Sequence, residues 1–183
     1  KKNNLKIINF CDDSIISNSF KKKKTYIYLT KLLKNINKLG IKNLILPFYE
    51  KSLMTDQNYF QFKDNLIKLI KLNYKINILI ESNISPISFS NLKKLVNSNK
   101  LKFLFDTGNR INLERDLYKD LLLFKKNLGH IHIKDKNYNL QNVPLKKGLV
   151  NFKKVFLTLK KIKYKKNFTF ETTRSKNPYK TAK

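Results

Sequence analysis

Apolar residues recur along this chain with two alternating periods. Short β-favouring runs occur at Leu5–Phe10, Leu44–Phe48, Ile76–Glu81, Leu101–Asp106, Ile131–Ile133 and Phe168–Glu171, and such runs read as strands buried in a sheet. Between them the spacing becomes helical. Thr25–Leu39 sets Ile27, Leu29, Leu32, Leu33, Ile36 and Leu39 close to one face, and Gly40 follows as a C-terminal stop. Asp56–Leu72 carries Phe60, Leu66, Ile67, Leu69 and Ile70 in the same manner, and Asn91–Asn97 predicts a shorter helix. Asn112–Asn127 aligns Leu113, Leu117, Leu121 and Phe124, with Glu114 in the first turn, and Phe152–Ile162 predicts the last helix. Six strands, each followed by helix or loop, predict an α/β fold with a parallel sheet. No internal repeat or linker interrupts the pattern, so residues 1–183 are expected to form one domain.

The ends of the later strands hold the chemistry. Ile-Leu-Ile-Glu81, Phe-Leu-Phe-Asp106-Thr-Gly-Asn109, His130-Ile-His132-Ile-Lys134-Asp135 and Phe-Thr-Phe-Glu171 place a carboxylate, a carboxylate, a histidine and a carboxylate at separations of 25, 26 and 39 residues. One strand, one helix and their loops take about 25 to 30 residues, so these are expected at successive ends of parallel strands. In a closed parallel barrel such ends converge on one pocket. Three carboxylates and an imidazole suit an oxygen-preferring divalent metal with positions left open for a substrate. An isolated strand-end acid is more often a helix cap or a surface charge. With only four glutamates and two histidines in the chain, however, their placement in this order carries weight.

Composition changes this picture less than its charge suggests. The formal net charge is +28, from 40 Lys+Arg against 12 Asp+Glu, a balance often associated with nucleic acid. Yet only three of the 40 are arginine, and 24 asparagines and 19 isoleucines accompany one alanine. Lys, Asn and Ile have AT-rich codons, so drift of the coding sequence explains the profile without a polyanionic partner. The lysines are dispersed, with one dense run at Lys21–Lys24. They are expected to form solvated faces that attract anionic substrates and bind polyanions nonspecifically at low salt. With glycine only at 40, 108, 129 and 148, neither a dinucleotide fingerprint nor a P-loop can be built. The pattern alone still permits an open doubly wound sheet. The lone Cys11 excludes an internal disulfide framework, and no apolar run approaches the roughly 20 residues that span a bilayer. The expectation is a cytoplasmic protein without a membrane partner.

The motifs together resemble the xylose-isomerase-like barrel proteins, in particular the sugar-phosphate isomerases and epimerases. Ile-Asn-Phe-Cys11-Asp-Asp-Ser and Leu-Pro47-Phe-Tyr-Glu50 look like that family's third and fourth strands, and the four motifs above like strands five to eight. The resemblance implies an incomplete (β/α)8 TIM barrel whose first two strands would precede Lys1 and whose last helix would follow Lys183. It implies Glu81, Asp106, His132 and Glu171 as ligands of a divalent metal (Mn, Mg, Co or Zn). Glu81 and Glu171 would also exchange the proton next to the carbonyl of a ketose or ketose phosphate, through an enediolate. Asn109, His130, Lys134 and Lys136 are the expected substrate contacts, and a homo-oligomer is compatible with the family.

Two departures stand out. Pro144-Leu-Lys146-Lys147-Gly148-Leu-Val150-Asn151-Phe152 keeps one glycine of a Gly-x-Gly-like turn and has Asn151 where relatives carry Asp. Lys134 and Lys136 stand where related epimerases use arginine, and lysine meets phosphate as a point charge rather than in bidentate fashion. Two other readings compete. A non-catalytic truncated remnant of the family is one. The other is a DNA-repair endonuclease-like barrel or polyanion binder, for whose three-zinc chemistry two histidines are too few.

Overall fold

The computed structural model describes residues 6–72, 74–111 and 114–172. The chain divides into two compact units, Lys1–Phe103 and Leu104–Lys183, with the boundary inside one strand.

The first unit is built on parallel strands β1 (Asn9–Cys11), β2 (Asn43–Pro47) and β3 (Asn77–Glu81), and on the start of β4 (Leu101–Asp106). A ladder of amides sets their register. Asn9, Asn43 and Asn77 are mutual register partners. The Asn43 Nδ2 donates to Asn9 Oδ1 at 2.7 Å, and Asn77 Nδ2 donates to Asn43 Oδ1 at 2.9 Å. A one-residue slip would break both bonds and turn the apolar strand residues to the wrong face.

Four helices accompany these strands: α1 (Ser14–Ser17), α2 (Lys23–Lys38), α3 (Lys63–Lys71) and α4 (Pro86–Val96). Their apolar stripes are buried through Leu29, Leu33 and Ile36, through Leu66 and Leu69, and through Phe89, Leu92 and Val96. Phe20, Phe48 and Phe62 meet edge-on or tilted beside them, with Phe20 and Phe48 centroids 4.9 Å apart. The α4 helix begins earlier than its apolar residues suggest. Ser85 caps it by accepting from the Ser88 N–H at 3.1 Å, and Pro86 fills the first turn.

The second unit carries the end of β4, then α5 (Thr107–Ile111), α6 (Leu117–Phe124), β5 (Leu128–Ile133), a hairpin of β6 (Asp135–Lys136) and β7 (Asn142–Val143), α7 (Phe152–Lys161) and β8 (Phe168–Phe170). Strand β8 pairs parallel with β5, matching His132 to Thr169, and the Glu171 N–H continues the ladder to the Ile133 carbonyl at 3.0 Å. The strand order is β1-β2-β3-β4-β5-β8. Six parallel strands of the eight in a TIM barrel are therefore present, with β1 and β8 at the ends of the order. Arg110 is buried between the rings of Phe105 and Phe124, 5.1 Å from each centroid, and is ion-paired with Asp120. Its charge is thus balanced internally.

Several boundaries differ from the pattern, for local reasons. The first strand is Asn9–Cys11 rather than Leu5–Phe10, and Leu5 lies outside the described residues. The helix expected over Asp56–Leu72 starts only at Lys63, after a 3-10 turn at Tyr59–Phe62. The long helix expected over Asn112–Asn127 is a helix from Leu117 to Phe124 and a 3-10 turn at Lys125–Asn127. Asp116 starts that helix, its carboxylate accepting from the Tyr118 and Lys119 N–H groups. Glu114 therefore precedes the helix, and Leu113 is not among the described residues. The β6–β7 hairpin was not foreseen, because two-residue strands show no period.

Candidate functional site

In the first unit, strand β3 ends on Glu81, whose carboxyl group is buried. Its backbone carbonyl accepts from the Phe48 N–H at 2.8 Å, and the Tyr49 hydroxyl lies 3.4 Å from its Oε1. Tyr49 had no signal in the sequence beyond its place just after a strand. Strands β3 and β4 pair in parallel through Ile80 and Phe103, so both run to their ends in the same direction. One ends on Glu81 and the other on Asp106.

The second unit brings four of the expected side chains together. Asp106 is almost fully buried, and the Asn109 N–H donates to its Oδ1 at 2.8 Å. Its Oδ2 lies 3.6 Å from the Lys134 Nζ and 3.9 Å from the His132 Nδ1. Glu171, just past the end of β8, reaches the same two side chains with one oxygen each. Oε2 lies 2.9 Å from His132 Nδ1, and Oε1 accepts from Lys134 Nζ at 2.9 Å. Two carboxylates, an imidazole and an ammonium thus form a single cluster.

The environment sorts these groups by charge. The hydrogen bond from His132, helped by the Lys134 ammonium, holds the Glu171 carboxyl down to about 2 against the opposing effect of burial. It is therefore ionised throughout the physiological range. Burial pushes the Asp106 carboxyl above the usual carboxylate range, with Lys134 pulling the other way.

The cluster also explains why the two sequence motifs belong together. Thr107 Oγ1 donates to the Lys134 carbonyl at 2.7 Å and accepts from the Lys134 N–H at 2.9 Å. A Cβ on Gly108 would come within 2.8 Å of the Lys134 Cγ. Thr107 fixes the Lys134 backbone, and Gly108 leaves room for its stem. Asp-Thr-Gly-Asn is thus the socket for the lysine of His-x-His-x-Lys. Strand alternation alone places 130, 132 and 134 on one face, and that was the available signal for Lys134 joining the cluster.

The remaining expected contacts fall elsewhere. His130 is buried, with its Nε2 2.8 Å from Thr169 Oγ1 and its ring edge-on to His132. Burial, and then the neighbouring His132, lower its pKa to about 4, so it is neutral at physiological pH. Asn109 touches the cluster through its backbone N–H, and the Lys136 N–H donates to Asp135 Oδ1 at 3.0 Å.

Asp135 emerges as the organiser of the loop after β5. Fully buried, its carboxylate also accepts from the Gly148 and Val150 N–H groups at 2.9 and 3.0 Å. A Cβ at Gly148 would lie 2.3 Å from that carboxylate and 2.4 Å from the Lys136 carbonyl oxygen, which accounts for the one glycine kept in this loop. Asn151, the apparent departure, caps α7 by accepting from the Lys154 N–H at 3.0 Å. The exchange of Asp for Asn preserves this cap.

The donor set of the second unit fits a divalent cation. Asp106 Oδ2 is buried without a hydrogen bond among the described residues, and His132 Nδ1 faces it and a Glu171 oxygen within 4 Å. Oxygen and nitrogen donors of this kind suit Mg, Mn, Co or Zn. No helix among the described residues is long and apolar enough to cross a membrane.

Comparison with known proteins agrees with the fold. No curated protein sequence matches the chain. Among solved structures, an L-ribulose 3-epimerase superposes with a TM-score of 0.76 at 13% identity, over 92% of this chain and 63% of its own. D-psicose 3-epimerase from Clostridium cellulolyticum H10, solved with D-tagatose, gives 0.68 at 16% identity, over 87% and 61%. The IOLI protein, solved with a zinc atom, gives 0.68 at 14% identity, over 84% and 63%. The chain thus spans about three-fifths of the length of these structures, and at such identities the likeness is one of fold. A family model described as the xylose isomerase-like TIM barrel matches residues 1–183, and the chain belongs to that family.

Proposed function

We propose that this chain carries the active site of a divalent-metal-dependent isomerase or epimerase acting on a ketose or ketose phosphate. The observation that carries the reading is the cluster of Asp106, His132, Lys134 and Glu171 after the ends of β4, β5 and β8. Asp106, His132 and Glu171 would hold the metal, with Glu81 from the strand paired beside β4 as the fourth ligand. When bound, the cation supplies Lewis-acid stabilisation of negative charge on the sugar oxygens. Glu171, kept ionised by the His132 hydrogen bond and the Lys134 ammonium, takes the proton next to the carbonyl. Glu81 returns a proton, either to invert the centre or to shift the carbonyl. Burial of Asp106 keeps water from screening its own charge. Lys134 meets an anionic oxygen of the substrate, with Lys136, two residues further on, and Asn109, whose backbone N–H holds Asp106, as further contacts. In this reading His130 orients β5 through Thr169 and keeps the wall beside His132 neutral.

The similar epimerase folds support the substrate class, and the zinc-containing relative supports the metal. The test is an assay of the full-length, Mn2+-loaded protein against pentulose and hexulose phosphates and their free sugars in deuterated water. Deuterium should enter the carbon next to the carbonyl of at least one of them. Glu171→Gln, which keeps size but loses the proton acceptor, should lower turnover by about 100-fold or more. A folded, metal-loaded protein that incorporates no deuterium into any of them would contradict the proposal.

A further inference from the structure

Lys134 is more firmly held than a substrate contact needs to be. Its side chain is 10% exposed, its backbone is clamped at both polar atoms by Thr107, and its stem fills the space that Gly108 leaves. Its ammonium lies 2.9 Å from Glu171 and 3.6 Å from Asp106. These are the same carboxylates that the reading above gives to the metal. A unit positive charge is therefore tethered against two ligands of a divalent cation.

We infer that Lys134 is the metal's internal rival: a built-in cation that neutralises Asp106 and Glu171 until a divalent ion displaces it. This rests on the proposed metal site and deepens it. Both cations cannot hold the same oxygens at contact distance, because like charges a few ångströms apart repel, the more so beside the buried Asp106. Displacement breaks the Lys134–Glu171 ion pair, and the flexible four-carbon stem lets the ammonium swing away while Thr107 keeps its backbone in place. The released charge is then available to an anionic oxygen of the substrate. Lys134 is thus a positioning residue that sets how tightly the metal binds and couples its arrival to a free cation beside it.

Two effects of removing the charge oppose each other. Loss of Lys134 frees Glu171 to sample more rotamers, which weakens metal binding. It also removes direct charge competition, which strengthens it. His132 still holds the other Glu171 oxygen at 2.9 Å, so much of the orientation survives. Competition is therefore the larger effect.

The test is calorimetric titration of the full-length protein with Mn2+, comparing wild type with Lys134→Met and Lys134→Arg. Lys134→Met keeps the stem and drops the charge, and it should bind Mn2+ about tenfold more tightly or better. Lys134→Arg keeps the charge and should retain affinity near that of the wild type. Circular dichroism melts of each protein establish that the comparison is between folded chains; an unfolded Lys134→Met passes the test to Lys134→Gln. Equal or weaker Mn2+ binding by the neutral variant, with the wild type binding normally, would overturn this inference and leave the proposed function standing. Absence of Mn2+ binding by wild type and neutral variant alike would overturn both.

Discussion

The two ends of the strands use polar residues in opposite ways. At the start of β1, β2 and β3, the side-chain amides of three asparagines bond to one another, donor to acceptor, in a neutral ladder. At the far ends of β4 and β5 and just past β8, charged groups of both signs crowd into a few ångströms. The ladder has nothing left over for chemistry beyond its two outer amides. The charged cluster has an Asp106 oxygen buried without a hydrogen bond among the described residues, and a Glu171 held by His132 and Lys134 at once. The contrast is one of electrostatics: amides satisfy each other at little expense, whereas clustered charges stay responsive to a ligand.

The sharpest challenge to this division comes from the loop after β5. Gly148→Ala drives a methyl group into both the Asp135 carboxylate and a backbone carbonyl, and backbone cannot swing aside. A loss of about 1 to 3 kcal/mol in stability is expected from denaturant melts, as for overpacking elsewhere. A neutral result would mean that the Asp135 latch does not order this loop.

A smaller effect is expected at the other end. Asn43→Ala removes the middle rung and both ladder hydrogen bonds, which should lower stability by about 1 to 2 kcal/mol. Metal affinity should be unchanged, because the rung sits at the start of its strand, whereas the proposed ligands lie at or just past the ends of theirs. A large change in Mn2+ binding would erase the distinction between the two ends.

The smallest expected effect is one of pH. The pKa of His130 is lowered from 6.5 to about 4 in the folded chain, so the folded state binds fewer protons there than the unfolded one. Its contribution to stability is complete above 6.5 and is lost as pH falls from 6.5 toward 4. His130→Asn keeps a polar side chain beside Thr169 without titrating. Its melting temperature should therefore fall less steeply than that of the wild type between about pH 6.5 and 5. Parallel slopes would show that His130 is not held neutral.

Much of this architecture was legible before the coordinates. Strand β4 spans the expected Leu101–Asp106, and α2 nearly matches Thr25–Leu39, because a continuous apolar run and a clean helical stripe are dictated by burial alone. Elements specified by polar residues were harder to read. The start of α4 depends on Ser85 and Pro86, which precede its main apolar stripe, and the break before α6 depends on the Asp116 cap. The hairpin depends on Asp135, an acid buried by its hydrogen bonds and invisible to any count of apolar positions. The candidate site followed the same rule. Asp106, His132 and Glu171 could be found from their places at strand ends. For Lys134, strand alternation shows a face shared with 130 and 132, but nothing in a sequence shows which carboxylate a lysine will meet. His130, equally conspicuous in its motif, pairs with Thr169 instead.

The central claim is that the strand-end cluster holds a divalent cation, and anomalous diffraction from crystals of the full-length protein grown with Mn2+ tests it most directly. The account predicts a single strong peak at about 2.0 to 2.3 Å from carboxylate oxygens of Asp106 and Glu171 and from the His132 imidazole, with the Lys134 ammonium withdrawn from Glu171. A well-ordered cluster with Lys134 still seated on Glu171 and no Mn2+ peak beside it would contradict that claim.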